Sequence, residues 1–200
     1  MLSPYLWAVL AFFLGALPFS VWLPRLLGQA DPRTIGDHNP GSTNVFRSGG
    51  TGVGLAVLLL DVSKAAAPVG LAYNVFGWRG LPMILIATAP VLGHAFSPFL
   101  RFRGGKALAV AFGVWIGLTL WQLSIPALLL VLLWRAVLDV DGWAVMLALA
   151  SLLGLILLWQ PEPRFLAVLA GQALILGWTH RESLRCRPHL RPWLSRRLAG

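Results

Sequence analysis

Charged residues are scarce in this 200-residue chain: Asp, Glu, Lys and Arg make up 12% of it, against 58% hydrophobic residues. Soluble domains usually carry about 25% charged residues. Apolar runs of membrane-spanning length recur along almost the whole chain, and a single soluble core could not bury them all. The composition therefore excludes an ordinary soluble domain and predicts an integral membrane protein.

Residues that bind metals or form disulfides are also few. The single cysteine, Cys186, cannot form an internal disulfide, and the four histidines and seven carboxylates show no spacing typical of metal ligands. We therefore expect no metal centre, and nothing in the sequence implies a cofactor. The net charge of +9 does not predict nucleic-acid binding, because the arginines lie between apolar runs and in a short tail, where lipid headgroups account for them.

The opening segment lacks the basic region of a signal peptide, because no Lys or Arg precedes Arg25. Its apolar stretch from Leu6 to Leu23 is long enough to cross a bilayer. We interpret it as a retained first helix. A cleaved signal is the alternative, since small residues and a proline lie between Gly15 and Ser20.

Apolar windows predict an all-α polytopic membrane protein with seven transmembrane helices. The windows lie at about 3–25, 52–76, 81–99, 106–121, 124–138, 143–159 and 164–179. Only two sizeable polar segments remain, the loop from Gly28 to Gly50 and the tail after Trp178. No internal repeat or linker divides the chain, so we expect one domain over residues 1–200.

Orientation follows from the basic residues, because loops that carry Lys and Arg stay in the cytoplasm. In the seven-helix arrangement, one face holds thirteen of them: Arg25, Arg33, Arg47, Arg101, Arg103, Lys106, Arg135, Arg181, Arg185, Arg187, Arg191, Arg196 and Arg197. The other face holds only Arg79 and Arg164. The pattern predicts an amino terminus outside and a carboxyl terminus in the cytoplasm.

Two polar loops fall on the predicted cytoplasmic face. The first, Gly36–Arg47, combines glycines, hydroxyl and amide side chains, and an arginine that can hold an oxyanion with two hydrogen bonds. The second, Arg101–Lys106, ends in Gly104, Gly105 and Lys106 just before an apolar run. Both patterns suit phosphate. The alternatives are a turn that caps the next helix for the first loop, and a plain positive-inside loop for the second.

Ionisable residues also lie within or beside the apolar windows. Asp61 and Lys64 are three residues apart on one face of the second predicted helix, where burial requires that they pair with each other or with polar neighbours. A structural pair and a substrate contact are both open. His94, near the end of the third window, and His180, at the start of the tail, could each carry a proton or donate to a phosphate.

Together these residues resemble the bacterial acyl-phosphate:glycerol-3-phosphate acyltransferases of the PlsY type, a family of seven-helix inner-membrane enzymes. The matching positions are Gly15, Pro18, Phe19, Ser20, the Gly36–Arg47 loop, Asp61, Lys64, Gly93, His94, Pro98, Phe99, the Phe102–Lys106 loop and His180. The resemblance implies transfer of a fatty acyl group from acyl phosphate to the 1-hydroxyl of glycerol 3-phosphate, which forms lysophosphatidate and phosphate in phospholipid synthesis. It implies these two substrates and membrane lipids as partners, with the active site facing the cytoplasm. No protein partner can be inferred from the sequence.

The same resemblance assigns residue roles. Arg47, Lys106 and His180 would be catalytic, with Arg47 and Lys106 holding phosphate. Substrate would be bound by Asp37, Asn39, Thr43, Asn44, Arg103, Gly104, Gly105 and Ser183, the two glycines through their backbone N–H groups. Asp61, Lys64 and His94 would be structural or would contact substrate. Because an acyl phosphate is already activated, orientation and charge neutralisation would suffice, and a substrate phosphate oxygen could take the hydroxyl proton.

Several positions depart from the family pattern, whose first loop usually reads Gly-Ser-Gly-Asn-x-Gly-Ala-Thr-Asn. Asp37 replaces a serine, His38, Ala65 and Ala107 replace glycines, Ser42 an alanine and Ser183 an asparagine. A carboxylate at position 37 would repel phosphate unless Arg47 or His38 compensates it. We therefore expect a divergent member, in which Asp37 turns the acceptor pocket toward a different hydroxyl or amine.

Three alternatives to the main interpretation stay open at this stage. A divergent paralogue would acylate another acceptor. A small membrane transporter would use Asp61 and Lys64 as its pathway, although the duplicated discontinuous helices typical of transporters are absent from the sequence. An inactive family member would act as a scaffold.

Overall fold

The computed structural model describes residues 3–198, and over that range the chain is helical, without a β-strand. Its helices are α1 (Pro4–Ala16), α2 (Phe19–Leu26), α3 (Ser42–Gly70), α4 (Gly80–Ala95), α5 (Leu108–Thr119), α6 (Ser124–Val137), α7 (Asp141–Trp159), α8 (Pro163–Thr179), α9 (Arg181–Leu184) and α10 (Pro192–Leu198). The elements form two compact units, Met1–Leu120 and Trp121–Gly200. All-helical architecture is confirmed.

Three described helical segments are long and apolar enough to cross a membrane: Ser42–Val75, Gly80–Leu100 and Asp141–Trp159. The pair α1 and α2 adds a fourth if it is taken as one bent span. Helices α5 and α6 have 12 and 14 residues, which at 1.5 Å per residue extend about 18 and 21 Å, less than the roughly 30 Å of a bilayer core. Every predicted window contains a helix, and the number of crossings stays a prediction.

The first predicted helix is broken near its middle. Helix α1 ends at Ala16, α2 begins at Phe19, and the two axes differ by 43°. Pro18 lies at the break and has no N–H to continue the helical hydrogen bonds. The prediction of one continuous helix over this window is therefore wrong, and the break leaves the carbonyl of Leu17 to accept a hydrogen bond from Lys64, at 2.9 Å.

The first polar loop ends in helix rather than in coil. Helix α3 begins at Ser42, but Gly50 has φ 75° and ψ 179°, so residues 42–49 form a short helical stretch set apart from the long apolar segment. Only glycine adopts this backbone conformation readily. The kink lies two residues before the predicted start of the second window. Asn44 and Arg47 therefore lie in the short helical stretch before it.

Small residues allow the helices of the first unit to pack closely. On α1, a Cβ on Gly15 would collide with the backbone of Pro90 on α4, and on α5 a Cβ on Gly113 would collide with the carbonyl of Val62 on α3. Close backbone approach at small residues is typical of helix packing in membranes. These contacts fix α3, which carries the buried Asp61 and Lys64, and α4, which carries the buried His94.

The second unit packs α7 against α6 and α8. Trp134 of α6 donates through Nε1 to the hydroxyl of Ser151 on α7, at 3.0 Å. The tail returns to the end of α6, where Arg191 donates to the carbonyl of Arg135 at 2.6 Å and Trp193 donates to the carbonyl of Ala136 at 3.0 Å. The basic tail is thus ordered against its own unit through these contacts.

Candidate active site

Asn44 organises the first polar loop. Its side chain is buried and its Nδ2 donates to Oδ1 of Asp37 at 2.8 Å and to the carbonyl of Asn39 at 3.0 Å. Its Oδ1 accepts a hydrogen bond from Nη1 of Arg47 at 3.2 Å. One amide therefore holds the loop closed and fixes the direction of the arginine.

The two polar loops meet at an ion pair. Nζ of Lys106 lies 2.7 Å from Oδ2 of Asp37, and both side chains are partly exposed. The pair brings together residues 69 positions apart in the sequence. We call Asp37, Asn39, Asn44, Arg47 and Lys106 the anion-loop cluster. The prediction that the two loops face each other is confirmed by this geometry, and their role stays a prediction.

The carboxylate of Asp37 is compensated by a different cation from the one expected. Partial burial alone would raise the pKa of Asp37, but the ammonium of Lys106 and the amide of Asn44 outweigh it and hold the pKa below its usual value. Asp37 is therefore ionised at neutral pH. Neither Arg47 nor His38 pairs with it; His38 contacts the carbonyl of Arg33 through Nδ1, at 3.0 Å.

The second loop is tied to the end of α4 by backbone hydrogen bonds. The N–H of Gly104 donates to the carbonyl of Ala95, and the N–H of Gly105 donates to the carbonyl of His94, each at 3.1 Å. These glycines were predicted to donate to phosphate, but in the structure both N–H groups are already bonded. Their smallness has another use, because a Cβ on Gly104 would collide with the carbonyl of His94 and one on Gly105 with the His94 ring.

Gly104→Ala is expected to destabilise the protein by about 1–3 kcal/mol, since the new methyl group must displace backbone atoms of α4. The matched control is Gly154→Ala on α7, where a Cβ meets no atom within 4 Å. That change should leave stability unchanged or raise it by about 0.5–1 kcal/mol. Unfolding midpoints of both variants in detergent micelles measure the difference, and equal midpoints would contradict the close packing described for Gly104.

Two positions where the family pattern has glycine retain a backbone that favours glycine. His38 has φ 59° and Ala107 has φ 64°, both in the left-handed region. Residues with a Cβ are destabilised there by about 1 kcal/mol or more. The loops therefore hold these residues in a strained conformation, with Ala107 directly after Lys106 and at the cap of α5.

A cluster of charged and polar groups is buried where α3, α4 and the break after α1 meet. Nζ of Lys64 lies 2.7 Å from Oδ1 of Asp61, 2.9 Å from the carbonyl of Leu17 and 2.8 Å from Nδ1 of His94. All three side chains are buried. The predicted pair of Asp61 and Lys64 is confirmed as an ion pair, and it joins α3 to the break after α1 and to α4.

His94 connects this buried cluster to the second loop. A charged lysine can only donate, so Nδ1 of His94 accepts from Lys64 and the imidazole carries its proton on Nε2. A Cβ on Gly105 would lie against this Nε2. His94 therefore lies between Lys64 and the glycine that precedes Lys106.

Two serines anchor the loops, a role that sequence reasoning did not assign to either of them. Ser20 donates through Oγ to the carbonyl of Pro40 at 2.7 Å, and Ser97 donates to the carbonyl of Ala16 at 2.6 Å; both are buried. The signal available was a hydroxyl within or just after an apolar window, where a polar group needs a partner. Ser20 fixes the first loop from the α2 side.

The remaining predicted residues are described within their own units. Thr43 and Arg103 are exposed, and within residues 3–198 neither side chain has a hydrogen bond. In the second unit, His180 is buried at the end of α8 and bonds through Nδ1 to the carbonyl of Leu176 at 2.8 Å. Ser183 accepts a hydrogen bond from the N–H of Gly142 at 2.9 Å. Their roles toward substrate remain predictions.

Comparison with known proteins agrees with this architecture. A family model described as glycerol-3-phosphate acyltransferase matches residues 5–186. The glycerol-3-phosphate acyltransferase of Desulfovibrio desulfuricans is 39% identical over 183 residues, which cover 90% of this chain and 79% of that protein. The enzyme of the same name from Aromatoleum aromaticum is 39% identical over 181 residues, or 88% of each chain.

A solved structure gives the same result for the fold. The crystal structure of PlsY (YgiH), an integral membrane glycerol 3-phosphate acyltransferase in its glycerol 3-phosphate form, is similar with a TM-score of 0.81 and 27% identity. The match covers 96% of this chain and 97% of that one. Apolar helices and these matches define a membrane acyltransferase of phospholipid synthesis. The chain belongs to the glycerol-3-phosphate acyltransferase family.

Proposed function

We propose that this enzyme transfers a fatty acyl group from an acyl phosphate to the 1-hydroxyl of glycerol 3-phosphate. The products are lysophosphatidate and inorganic phosphate. The observation that carries the proposal is the anion-loop cluster, in which the Asp37–Lys106 ion pair joins two loops and Asn44 directs Arg47 beside them. The alternative of a small transporter is set aside, because the chain belongs to an enzyme family.

The reaction needs little covalent help from the protein. The hydroxyl oxygen of the acceptor attacks the carbonyl carbon of the acyl phosphate, the bond between that carbon and the phosphate oxygen breaks, and the phosphate leaves with the bonding electrons. A substrate phosphate oxygen takes the hydroxyl proton. Lys106 and Arg47 neutralise phosphate charge and align the reactants, which lowers the barrier through electrostatic stabilisation and orientation.

The identity of the acyl donor can be tested by comparing three candidate donors. Protein purified in detergent and reconstituted with lipids should form lysophosphatidate from glycerol 3-phosphate and an acyl phosphate, but not from acyl-CoA or acyl carrier protein carrying the same chain. Product is measured by mass spectrometry. A preference for either thioester would contradict the proposed donor.

We also propose that the chain crosses a bacterial inner membrane seven times. Its amino terminus lies outside, and its active site faces the cytoplasm. Thirteen basic residues against two support this orientation. A helix in each of seven apolar windows supports the count. One membrane domain over residues 1–200 is supported by a family match that extends across both compact units, residues 5–186.

Cys186 provides a direct test of orientation, because it is the only cysteine and lies exposed in the tail. A membrane-impermeant maleimide should label Cys186 in inside-out vesicles and leave it unlabelled in sealed right-side-out vesicles. Cys186→Ser serves as the control for background labelling. Labelling confined to right-side-out vesicles would contradict a cytoplasmic tail.

A further inference from the structure

The Asp37 carboxylate is surrounded by donors in the way a bound anion is. Lys106 lies 2.7 Å from Oδ2, Asn44 donates to Oδ1 at 2.8 Å, and the N–H of Asn39 donates to the same oxygen at 3.4 Å. An ammonium, an amide and a backbone N–H are the groups that hold phosphate oxygens in proteins. The site for an anion is thus formed, and a side chain of the protein occupies it.

We propose that Asp37 acts as a competitor for the substrate phosphate, and that a phosphate-bearing acceptor binds by taking over Lys106 from the Asp37 carboxylate. This inference rests on the proposed function and names the residue that sets acceptor affinity. The Asp37 side chain is about half exposed, at 47%, so it can rotate into solvent when it is displaced. An acceptor without a phosphate has no equivalent charge with which to displace it.

The charges of the site favour the exchange of the Asp37 carboxylate for a phosphate. Asp37 and a phosphate cannot both remain beside Lys106, because like charges at hydrogen-bond distance repel strongly. A phosphate carries more negative charge than a carboxylate, and Arg47, already directed by Asn44, adds a second cation. Asp37 therefore lowers the affinity for phosphate while keeping Lys106 in place when the site holds no substrate. Removing its charge should tighten binding.

Equilibrium binding of inorganic phosphate and of glycerol 3-phosphate tests the proposal, measured by calorimetry on the purified full-length protein in detergent. Asp37→Asn keeps the shape of the side chain and an acceptor for Asn44, and removes the charge. We expect the Kd of both anions to fall about tenfold, in keeping with the loss of one close charge–charge repulsion in a partly exposed site. Asp37→Ser also removes the charge and places a smaller side chain at this exposed position, so both Kd values should fall as well.

Asp31→Asn is the matched control. Asp31 lies six positions earlier, in the polar segment from Gly28 to Gly50, is partly exposed and pairs with Arg33. It removes the same charge from the same region, so its Kd values should stay within about twofold of wild type if the effect of Asp37 is local.

Steady-state kinetics distinguish two roles for Asp37, competition with the substrate phosphate and positioning of Lys106. In Asp37→Asn, KM for glycerol 3-phosphate should fall with its Kd if Asp37 competes with the phosphate, and should rise if Asp37 positions Lys106. Unchanged or weakened phosphate binding in both Asp37 variants would overturn the proposal, and weakened binding would identify Asp37 as a residue that positions Lys106. Calorimetry needs no turnover, so a wild-type protein that forms no lysophosphatidate would refute the proposed function and leave this test intact.

Discussion

Lys106→Ala and Arg47→Ala are each expected to lower the rate of lysophosphatidate formation by about two powers of ten or more, because in the proposed mechanism each removes a cation that neutralises phosphate charge in the transition state. Both side chains belong to the anion-loop cluster, Lys106 through Asp37 and Arg47 through Asn44. Neither side chain is buried in the hydrophobic core, so the variants should fold. Initial rates with saturating acyl phosphate and varied glycerol 3-phosphate give kcat and KM separately.

Two nearby arginines serve as controls for the loss of positive charge. Arg101 lies in the same loop as Lys106. Arg33 lies in the same polar segment as Arg47, between Gly28 and Gly50, and its side chain pairs with Asp31. Both are exposed, and Arg101→Ala and Arg33→Ala should retain activity within about threefold of wild type, because surface charges at a distance are screened by salt. Equal losses in controls and test variants would show a general effect of charge and would contradict a specific site.

Lys64→Met is expected to destabilise the enzyme by about 3–5 kcal/mol, since it leaves the Asp61 carboxylate buried without a counterion. The variant also removes the hydrogen bonds from Lys64 to the carbonyl of Leu17 and to His94, so α3 loses its polar link to α4. Unfolding titrations in detergent micelles measure the change. A loss below about 1 kcal/mol, the usual value for an exposed pair, would contradict the buried geometry.

The double variant Asp61→Leu with Lys64→Met separates structural from substrate-contacting roles. Replacing both members of a buried ion pair by apolar residues is often neutral or stabilising, so much of the lost stability should return. Activity per folded molecule should return with it if the pair only supports the bundle. A stable but inactive double variant would show that Asp61 or Lys64 contacts substrate. Arg33→Met, which breaks an exposed pair, is the control.

The parts of the fold that depend on hydrophobicity could be predicted from the sequence. Each of seven apolar windows contains a helix, and Asp61 and Lys64 pair as their spacing requires. A buried charge in an apolar helix needs a counterion or a polar partner close by, which makes such a pair predictable. Likewise the convergence of the two polar loops followed from their shared face, and the contact between Asp37 and Lys106 confirms it.

Features that depend on backbone breaks and long-range contacts could not be predicted. The bend after Ala16 and the kink at Gly50 require knowledge of how the chain packs around Pro18 and the first loop. The third partner of Lys64 is His94, 30 positions away, and no periodic pattern links the two. The glycines before Lys106 were assigned to phosphate from their place before a helix and from the family resemblance, whereas their N–H groups bond to the end of α4.

For Asp37, the sequence predicted that the carboxylate needs a counterion but suggested the wrong one. A carboxylate in a phosphate loop signals a change in acceptor binding, and sequence alone suggested His38 or Arg47 as its counterion. The structure pairs it with Lys106 instead, which had been assigned to phosphate. Glycerol 3-phosphate therefore stays the proposed acceptor, and the proposed effect of Asp37 is on its affinity.

The most direct test of the proposed reaction is the stoichiometry of products in a reconstituted system. Purified enzyme in lipid vesicles receives acyl phosphate and glycerol 3-phosphate, and lysophosphatidate and inorganic phosphate are both quantified over time, with Lys106→Ala in parallel. We expect one lysophosphatidate for each phosphate released, and near-background formation of both in the variant. Phosphate release without lysophosphatidate, or no product beside an active glycerol-3-phosphate acyltransferase assayed in the same vesicles, would contradict the proposed function.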